Sequence, residues 1–461
     1  MIVLPDKKRI HRKGIRGKLK LAPTQIIALT FAFIILAGAC LLALPVASRS
    51  GESCGFVPAL FTATSSTCVT GLVLFDTWSQ WSGFGQTVLL ILIELGGLGF
   101  MSAASLVVFV LRKKVGLRQR MLIAQALSAG EMEGVVRLQK WVLLGSLVIQ
   151  SAGALILFFR FLPDFGWLQA AKWGVFHAVS AFCNAGFDIF GSIAPGQSVA
   201  VWNADPVVLL TLMALVVIGG LGFFVWEEVV TLRSFKKYSV YTKLVLIATG
   251  VLILGGAVVI GVLEWNNPDT LGNMPVWQKL LNALFQSVTL RTAGFASFDQ
   301  AMLTEGGKAF STLLMLVGGS SGSTAGGLKT VTVVVLVLFV LARARGRSRV
   351  SVFCRNIPHD KILDAMTIVS IVCGLAVAGA ILISATNDIS FLDSLYETAS
   401  ALATVGLTAG VTPALNTGCR LMIILFMYFG RVGVLTLSLG FLMGDRAQER
   451  FAYADTNLLI G

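Results

Sequence analysis

The sequence predicts an all-α membrane protein in which four tandem repeats of helix, pore helix and helix surround one pore, with eight transmembrane helices and four re-entrant pore helices. Of the 461 residues, 56% are hydrophobic and only 13% are charged, which is too apolar for a soluble protein. Several apolar runs exceed the ~20 residues that a helix needs to cross a bilayer. Four glycines, Gly71, Gly186, Gly294 and Gly406, recur about every 110 residues, each after a short amphiphilic run.

The positive charge is concentrated where a membrane protein faces the cytoplasm. The net charge is +13, and the first 20 residues hold eight Lys or Arg. Further basic clusters follow predicted inner helices, and no basic-aromatic interleaving favours a nucleic-acid surface. We expect both termini in the cytoplasm, the amino terminus retained, and every predicted filter open to the outside. The seven cysteines include no Cys-x-x-Cys pair, so no metal site or disulfide framework is predicted.

Each repeat is predicted to contain an outer helix, a half-length segment and an inner helix. The outer helices are predicted at 23–44, 136–161, 242–263 and 364–384, and the inner helices at 84–111, 206–232, 310–341 and 419–443. The chain then divides into a basic cytoplasmic tail (1–22), repeat 1 (23–120), repeat 2 (121–233), repeat 3 with a broken inner helix (234–350), repeat 4 (351–443) and a cytoplasmic C-terminal tail (444–461).

The half-length segments are predicted to be pore helices. Each is opened by an aromatic residue, Phe61, Phe176, Phe285 or Tyr396. Segments of about 10 to 12 residues cannot span a bilayer, and their backbone must be hydrogen-bonded or line a wet cavity. One such segment alone can equally be an amphipathic outer loop or a core helix. Four in the same register favour pore helices around one axis.

The residues that end each half-length segment are predicted to form a selectivity filter. Successive backbone carbonyls can replace the hydration shell of K⁺ without fixed charges that hold the ion too tightly. Pointing consecutive carbonyls one way requires unusual backbone angles, which glycine permits at little steric cost. We call the four stretches filter segments 1 to 4. Their residues are Thr67, Cys68, Val69, Thr70 and Gly71; Phe182, Cys183, Asn184, Ala185 and Gly186; Leu290, Arg291, Thr292, Ala293 and Gly294; and Leu402, Ala403, Thr404, Val405 and Gly406.

Two strings resemble the Trk/Ktr/HKT superfamily of K⁺ transporters: Leu290-Arg291-Thr292-Ala293-Gly294-Phe295 and Gly319-Ser320-Ser321-Gly322-Ser323-Thr324-Ala325-Gly326-Gly327-Leu328-Lys329-Thr330. With eight predicted spans, the chain is most similar to the bacterial Ktr membrane subunit. The resemblance implies K⁺ uptake across a bacterial plasma membrane by a homodimer on a cytoplasmic ring of nucleotide-binding RCK subunits, so that any nucleotide would act through the partner.

In the superfamily, a serine at the first filter glycine accompanies Na⁺ transport. Here that position is Gly71, and all four positions are glycine, which favours K⁺. A Na⁺-permeable relative remains an alternative, and so does Na⁺ as a coupling or activating ion in a sodium-dependent symport. Whether flux is channel-like or coupled to Na⁺ or H⁺ stays open.

The third predicted inner helix is interrupted by a stretch that we call the intramembrane loop. Its residues are Gly318, Gly319, Ser320, Ser321, Gly322, Ser323, Thr324, Ala325, Gly326 and Gly327. Each glycine costs a helix ~1 kcal/mol relative to alanine, so an unwound segment that faces a watery cavity is expected. By resemblance this loop is a gate beneath the filter. The alternative is a small-residue helix contact, which is what we expect at 96–99 and 219–222, with modest bends.

Arg431 lies in the middle of the fourth predicted inner helix, where a guanidinium is costly unless it meets acceptors or water. We expect it to face the pore, to bind carbonyls of the intramembrane loop and to oppose cations, as the superfamily's arginine at this place implies. The alternative is an ion pair, for which Glu94 is a candidate. Lys329 closes the loop and can snorkel or pair nearby. Arg291 can support the outer mouth or hydrogen-bond neighbouring carbonyls.

Other function classes are disfavoured. Residues 322–330 nearly spell a phosphate-binding loop, but Leu328 intrudes before Lys329 and no β-strand is predicted to precede it. A serine hydrolase needs a nearby histidine, and the three histidines lie in the tail, a predicted pore helix and a cytoplasmic loop. An alternating-access secondary carrier would show inverted repeats, whereas these four run in one direction. We therefore predict no enzyme activity.

Overall fold

The computed structural model describes residues 23–99 and 135–433. Their α-helices, in chain order, are α1 (Pro23–Leu42), α2 (Phe56–Cys68), α3 (Thr77–Gln80), α4 (Gly83–Gly97), α5 (Val135–Phe182), α6 (Pro206–Leu221), α7 (Phe223–Leu232), α8 (Val240–Glu264), α9 (Val276–Thr289), α10 (Glu305–Leu316), α11 (Thr330–Ala344), α12 (His359–Thr386), α13 (Phe391–Ala403) and α14 (Thr417–Val432).

Four of these helices, α1, α5, α8 and α12, are long and apolar enough to cross a membrane, and they coincide with the predicted outer helices. The pair α6 and α7 passes the same test together. Helices α4 and α11 are apolar but shorter. The chain is thus a mostly helical membrane protein, while the count of eight spans stays a prediction. The later parts of the first and fourth predicted inner helices, beyond residues 99 and 433, lie outside the described residues, as do both predicted tails.

The half-length helices are α2, α9, α13 and the last part of α5. In repeat 2 the outer helix and the half-helix run together, and the chain reverses between them at Gly166, which has φ 73° and ψ 168°. A residue with a Cβ is strained at that φ, so glycine permits the reversal. The outer helices α1, α8 and α12 each pack on the half-length helix of their own repeat, α2, α9 and α13.

Burial in this molecule follows the logic of a membrane protein. Hydroxyl and amide side chains on the half-length helices, such as Ser65, Ser180 and Gln286, are fully or almost fully buried. Large apolar side chains on the outer helices are exposed, with Phe33 at 71% and Val262 at 74%. Lipid tails accept such an exterior, whereas buried polar groups require partners. The functional elements therefore lie at the centre of the bundle.

Two of our expectations need correction. The fold is not purely helical, because Ser351–Val352 and Arg355–Asn356 pair as a small antiparallel hairpin, β1 and β2, whose turn residues Phe353 and Cys354 have positive φ. The bend in the second inner helix is not modest, since α6 and α7 meet at 96°. Gly222 adopts φ 92° at this bend, and a Cβ there would lie 2.6 Å from Ser320 Oγ. The intramembrane loop therefore packs directly against the bend.

Candidate functional site

The four filter segments share one backbone conformation. In each, the residue two before the glycine is left-handed and the glycine itself has positive φ. These residues are Val69 (57°) with Gly71 (97°), Asn184 (59°) with Gly186 (68°), Thr292 (67°) with Gly294 (83°) and Thr404 (52°) with Gly406 (96°). Left-handed φ is costly for a β-branched residue and persists only where the surroundings enforce it. Alternating the hand of successive residues is what lets neighbouring carbonyls point to the same side.

The four glycines meet in a closed ring. A Cβ on Gly71 would lie 2.6 Å from Ala185 O, and one on Gly186 would lie 2.7 Å from Ala293 O. In the same way, a Cβ on Gly294 or Gly406 would collide with a carbonyl of the following repeat. These two carbonyls belong to Val405 and Thr70. Each filter segment thus packs against the next, in the order 1, 2, 3, 4 and back to 1. Any side chain at these positions would push into the neighbouring carbonyl.

A hydroxyl at the end of each half-length helix supports the adjoining filter segment, which the sequence reasoning missed. Gly71 N donates to Ser65 Oγ at 3.1 Å, and Gly406 N donates to Ser400 Oγ at 3.0 Å. Ser180 Oγ and Thr289 Oγ1 instead donate to the carbonyls just after their glycines, both at 2.7 Å. The signal in the sequence is a Ser or Thr six residues before the glycine, or five in repeat 3.

Glu397, on α13, is a second support that sequence reasoning missed. It is fully buried and accepts hydrogen bonds from Thr408 Oγ1, at 2.7 Å, and from Thr412 Oγ1. Both threonines follow filter segment 4, so the carboxyl group fixes the chain that leaves this segment. A buried carboxyl is tolerated only when it is hydrogen-bonded in this way. An acidic residue inside a predicted pore helix was the available signal.

The intramembrane loop lies directly against the filter segments. The non-helical stretch joins α10 to α11, as predicted, and Gly318 N donates to Leu328 O at 2.9 Å. Thr324 Oγ1 donates to Phe182 O at 3.1 Å, in filter segment 2. A Cβ on Gly326 would collide with Thr404, in filter segment 4. The loop therefore packs directly against filter segments 2 and 4.

Arg431 binds backbone carbonyls of two elements. Its guanidinium donates to Thr324 O in the intramembrane loop, to Gly96 O and, at 3.0 Å, to Gly97 O. No carboxylate of the described residues lies within ion-pair distance of it. Glu94 instead accepts hydrogen bonds from Gln150 and Cys183. The structure thus places Arg431 on a carbonyl of the loop, and the ion pair with Glu94 was wrong.

The other two basic residues near the loop also bind main-chain carbonyls. Arg291 Nη2 donates to Gly318 O at 3.3 Å and to Thr330 Oγ1 at 3.0 Å, so the side chain lies by the intramembrane loop and not at the outer mouth. Lys329 Nζ donates to Ala325 O at 2.7 Å within its own segment. Both residues thus hold the loop in its observed shape.

A cavity of about 560 Å³ opens on the side of the glycine ring that faces away from the intramembrane loop. The four glycines lie at its base. Its wall carries three carboxylates, Asp76, Asp188 and Asp299, and no Lys or Arg among the described lining residues. Burial, and then the nearby charge of Asp76, raise the pKa of Asp188 to about 6. A concave surface with carboxylates of one sign attracts cations towards the ring.

The geometry offers little to a hydrolase or a nucleotide site. His177 is fully buried, with Nδ1 2.8 Å from Trp173 O and Nε2 accepting from Ile189 N at 3.3 Å, so both ring nitrogens are engaged. Residues 322–330 follow helix α10, whereas a phosphate-binding loop follows a β-strand. Half-length helices that converge on carbonyl-rich loops inside an apolar bundle define instead a membrane-embedded cation transport protein.

The chain belongs to the TrkH family of cation transport proteins, whose sequence profile matches residues 17–449. This confirms the resemblance proposed from the two sequence strings. The family consists of ion transporters, so the chain is an integral membrane protein of ion transport and not an enzyme.

Relatives of known name match over nearly their whole length. The chain is 39% identical to the Ktr system potassium uptake protein B of Bacillus subtilis, covering 94% of this chain and 96% of that one. It is 38% identical to the potassium/sodium uptake protein NtpJ of Enterococcus hirae, covering 98% and 100%. The crystal structure of the potassium transporter TrkH from Vibrio parahaemolyticus has the same fold, with a TM-score of 0.72 at 17% identity over 94% of this chain and 86% of that one.

Proposed function

We propose that the protein takes up K⁺ across the bacterial plasma membrane, through the ring of four filter segments. The ring of glycines and carbonyls carries this proposal, because a dehydrated K⁺ requires oxygens from several sides at once. The names of the relatives from B. subtilis and E. hirae agree with K⁺ as cargo. The acidic cavity would then face the outside and collect cations before the filter.

Three buried hydroxyls support a cation path at the ring. Thr67, Thr70 and Thr404, all in filter segments, are fully buried, and their Oγ1 atoms have no hydrogen-bond partner among the described residues. Buried hydroxyls normally find a partner. A cation or its hydration water in the path would supply one. The donor set of hydroxyl and carbonyl oxygens suits a hard monovalent cation.

We assign gating to the intramembrane loop and Arg431. The loop blocks the path beneath the filter segments, and Arg431 holds it by Thr324 O while placing a positive charge in front of the departing cation. Opening would require the loop to leave these carbonyl contacts. A homodimer, a cytoplasmic RCK-type ring that controls the loop, and cytoplasmic termini belong to the same proposal by resemblance to the Ktr membrane subunit.

Na⁺ is the second candidate cargo or coupling ion. The E. hirae relative, 38% identical, is named a potassium/sodium uptake protein. Against Na⁺ as the preferred cargo stands the glycine at all four ring positions. Measuring how strongly Na⁺ competes with K⁺ flux, in vesicles that contain the purified protein, distinguishes K⁺ from Na⁺ as the preferred cargo.

Uptake in K⁺-deficient bacteria tests the site. We expect Gly294→Ser to lose preference for K⁺, because its Cβ would press on Val405 O, and deletion of 320–325 to leak. Gly255→Ser on α8, where a Cβ meets nothing within 4 Å, is the matched control and should behave like the wild type. Membrane abundance of each variant is measured alongside. Unchanged transport in both the serine variant and the deletion would refute the assignment.

A further inference from the structure

We propose that Thr324 is a positioning residue that couples the intramembrane loop to the selectivity of filter segment 2. The proposal rests on the proposed function and goes beyond it, because it makes ion selection depend on the position of the loop. A loop that only blocks the path would leave selection unchanged when it moves.

Thr324 is the point at which four parts of the molecule meet. It is fully buried, and its hydroxyl lies 3.1 Å from Phe182 O and 3.3 Å from Asn184 Oδ1, both in filter segment 2. Its backbone N donates to Gly219 O at 3.3 Å, on α6. Its carbonyl accepts from Arg431 on α14. One residue of the loop therefore contacts both the proposed electrostatic barrier and the filter.

Asn184 extends the contact to a second filter segment. Its Oδ1 is the acceptor for Thr324, and its Nδ2 lies 3.5 Å from Thr292 Oγ1 in filter segment 3. Asn184 also holds the left-handed backbone angle of its segment, with φ 59°. Asparagine tolerates this angle better than most residues. Thr324 therefore contacts the side chain of the residue at the left-handed position of filter segment 2.

Repeat 2 differs here from repeats 1 and 4. In filter segments 1 and 4, the carbonyl of the first residue packs against a glycine of the inner helix of the same repeat. These pairs are Thr67 with Gly96 and Leu402 with Gly430. Phe182 O packs against Gly219 in the same way, but it also receives the hydroxyl of Thr324. When the loop moves, Phe182 O and Asn184 Oδ1 lose the single hydroxyl hydrogen that they share. A buried acceptor left without a donor is costly, so segment 2 must rearrange or admit water.

Flux measurements on the purified full-length protein in vesicles test the coupling, with K⁺ and Na⁺ compared in each variant. Thr324→Val keeps the shape of the side chain and removes the donor. We expect it to shift the K⁺ to Na⁺ flux ratio by roughly fivefold, the factor that one net hydrogen bond corresponds to. Thr324→Ser restores the hydroxyl and should return the ratio to within about twofold of the wild type.

Ser323→Ala is the matched control in the same loop. The hydroxyl of Ser323 donates only to Ser320 O, inside the loop, at 2.7 Å. Its loss should alter the total flux while leaving the flux ratio at the wild-type value. If Thr324→Val, like Ser323→Ala, changes the total flux but not the flux ratio, Thr324 only helps the loop to obstruct the path. The coupling is then refuted.

A second measurement does not depend on the folding of Thr324→Val. If the loop position alters the filter, then K⁺ in the filter must alter the loop, because coupling between sites is reciprocal. Ser321 is partly exposed, so thiol labelling of Ser321→Cys, quantified by mass spectrometry against the native cysteines, reports on the loop. We expect K⁺, but not choline, to change the labelling rate at least twofold, and an unchanged rate refutes the coupling. A failure of the proposed function would look different, since the wild type would show no K⁺ preference.

Discussion

Neutralising Asp188 should make cation uptake insensitive to external pH between 5 and 7. This carboxyl lines the cavity above the glycine ring, where burial and the charge of Asp76 raise its pKa to about 6. At pH 7 about nine-tenths of the molecules would carry the charge, and at pH 5 about one-tenth. Cation attraction should therefore be present above pH 6 and be lost as the pH falls through it.

The size of the effect follows from removing one unit charge near the ion path. At an effective dielectric constant between that of a protein surface and that of water, such a charge contributes about 1 kcal/mol, or about fivefold in the KM for K⁺. The assay is the initial rate of K⁺ uptake into vesicles of fixed internal pH, against external pH. Asp188→Asn should show at pH 7 the KM that the wild type shows at pH 5.

One control variant and one second measurement sharpen this test. Asp299→Asn removes another carboxylate of the same cavity and should raise KM at pH 7 while leaving the pH-dependent step of Asp188 in place. Thermal stability reports the same titration, because a carboxyl with a raised pKa contributes stability that is lost as pH rises through about 6. Asp188→Asn should therefore be at least as stable as the wild type at pH 7.5. A wild-type pH profile retained in Asp188→Asn would refute the reasoning.

Three further predictions concern the supports of the filter segments and of the intramembrane loop. Ser65→Ala leaves Gly71 N without its acceptor, which should cost about 1–3 kcal/mol and lower both thermal stability and K⁺ preference. The matched control is Ser66→Ala, whose hydroxyl bonds only within α2 and whose loss should lower neither. Arg431→Ala removes donors to the loop and to α4, and a leak that is not at least tenfold above wild type in vesicles would count against its gating role. Glu397→Gln keeps one accepting oxygen and replaces the other by an NH2 group, so the hydroxyl of Thr408 or Thr412 loses its acceptor at a cost of about 1–3 kcal/mol. The midpoint of thermal unfolding should fall, and an unaltered midpoint would show that the carboxyl is not a support.

Sequence periodicity was sufficient to find the ring. The four glycines, their spacing and the half-length runs before them each follow from elementary requirements of carbonyl coordination in lipid. The break in the third inner helix was also predictable, because five glycines in ten residues of an apolar span disfavour a helix. These features depend on local chemistry that one stretch of sequence displays by itself.

Features that depend on tertiary contact were not predictable. The 96° bend at Gly222 arises where the intramembrane loop, a hundred residues later, lies beside α6. A glycine pair alone does not distinguish such a bend from close packing. The partner of Glu94 could not be found from the sequence for the same reason, since Gln150 lies on a different element and carries no charge that would mark it.

Within residues 23–99 and 135–433, the glycine-rich loop interrupts the third inner helix, and under the proposed gating this position has a mechanical consequence. Because all four filter segments belong to a single polypeptide, one inner helix can carry the movable loop without the same change being made in the other three. The path would open by movement of the intramembrane loop on one side, and not by a concerted movement of all four inner helices. A cytoplasmic regulator would then need to move a single element instead of four.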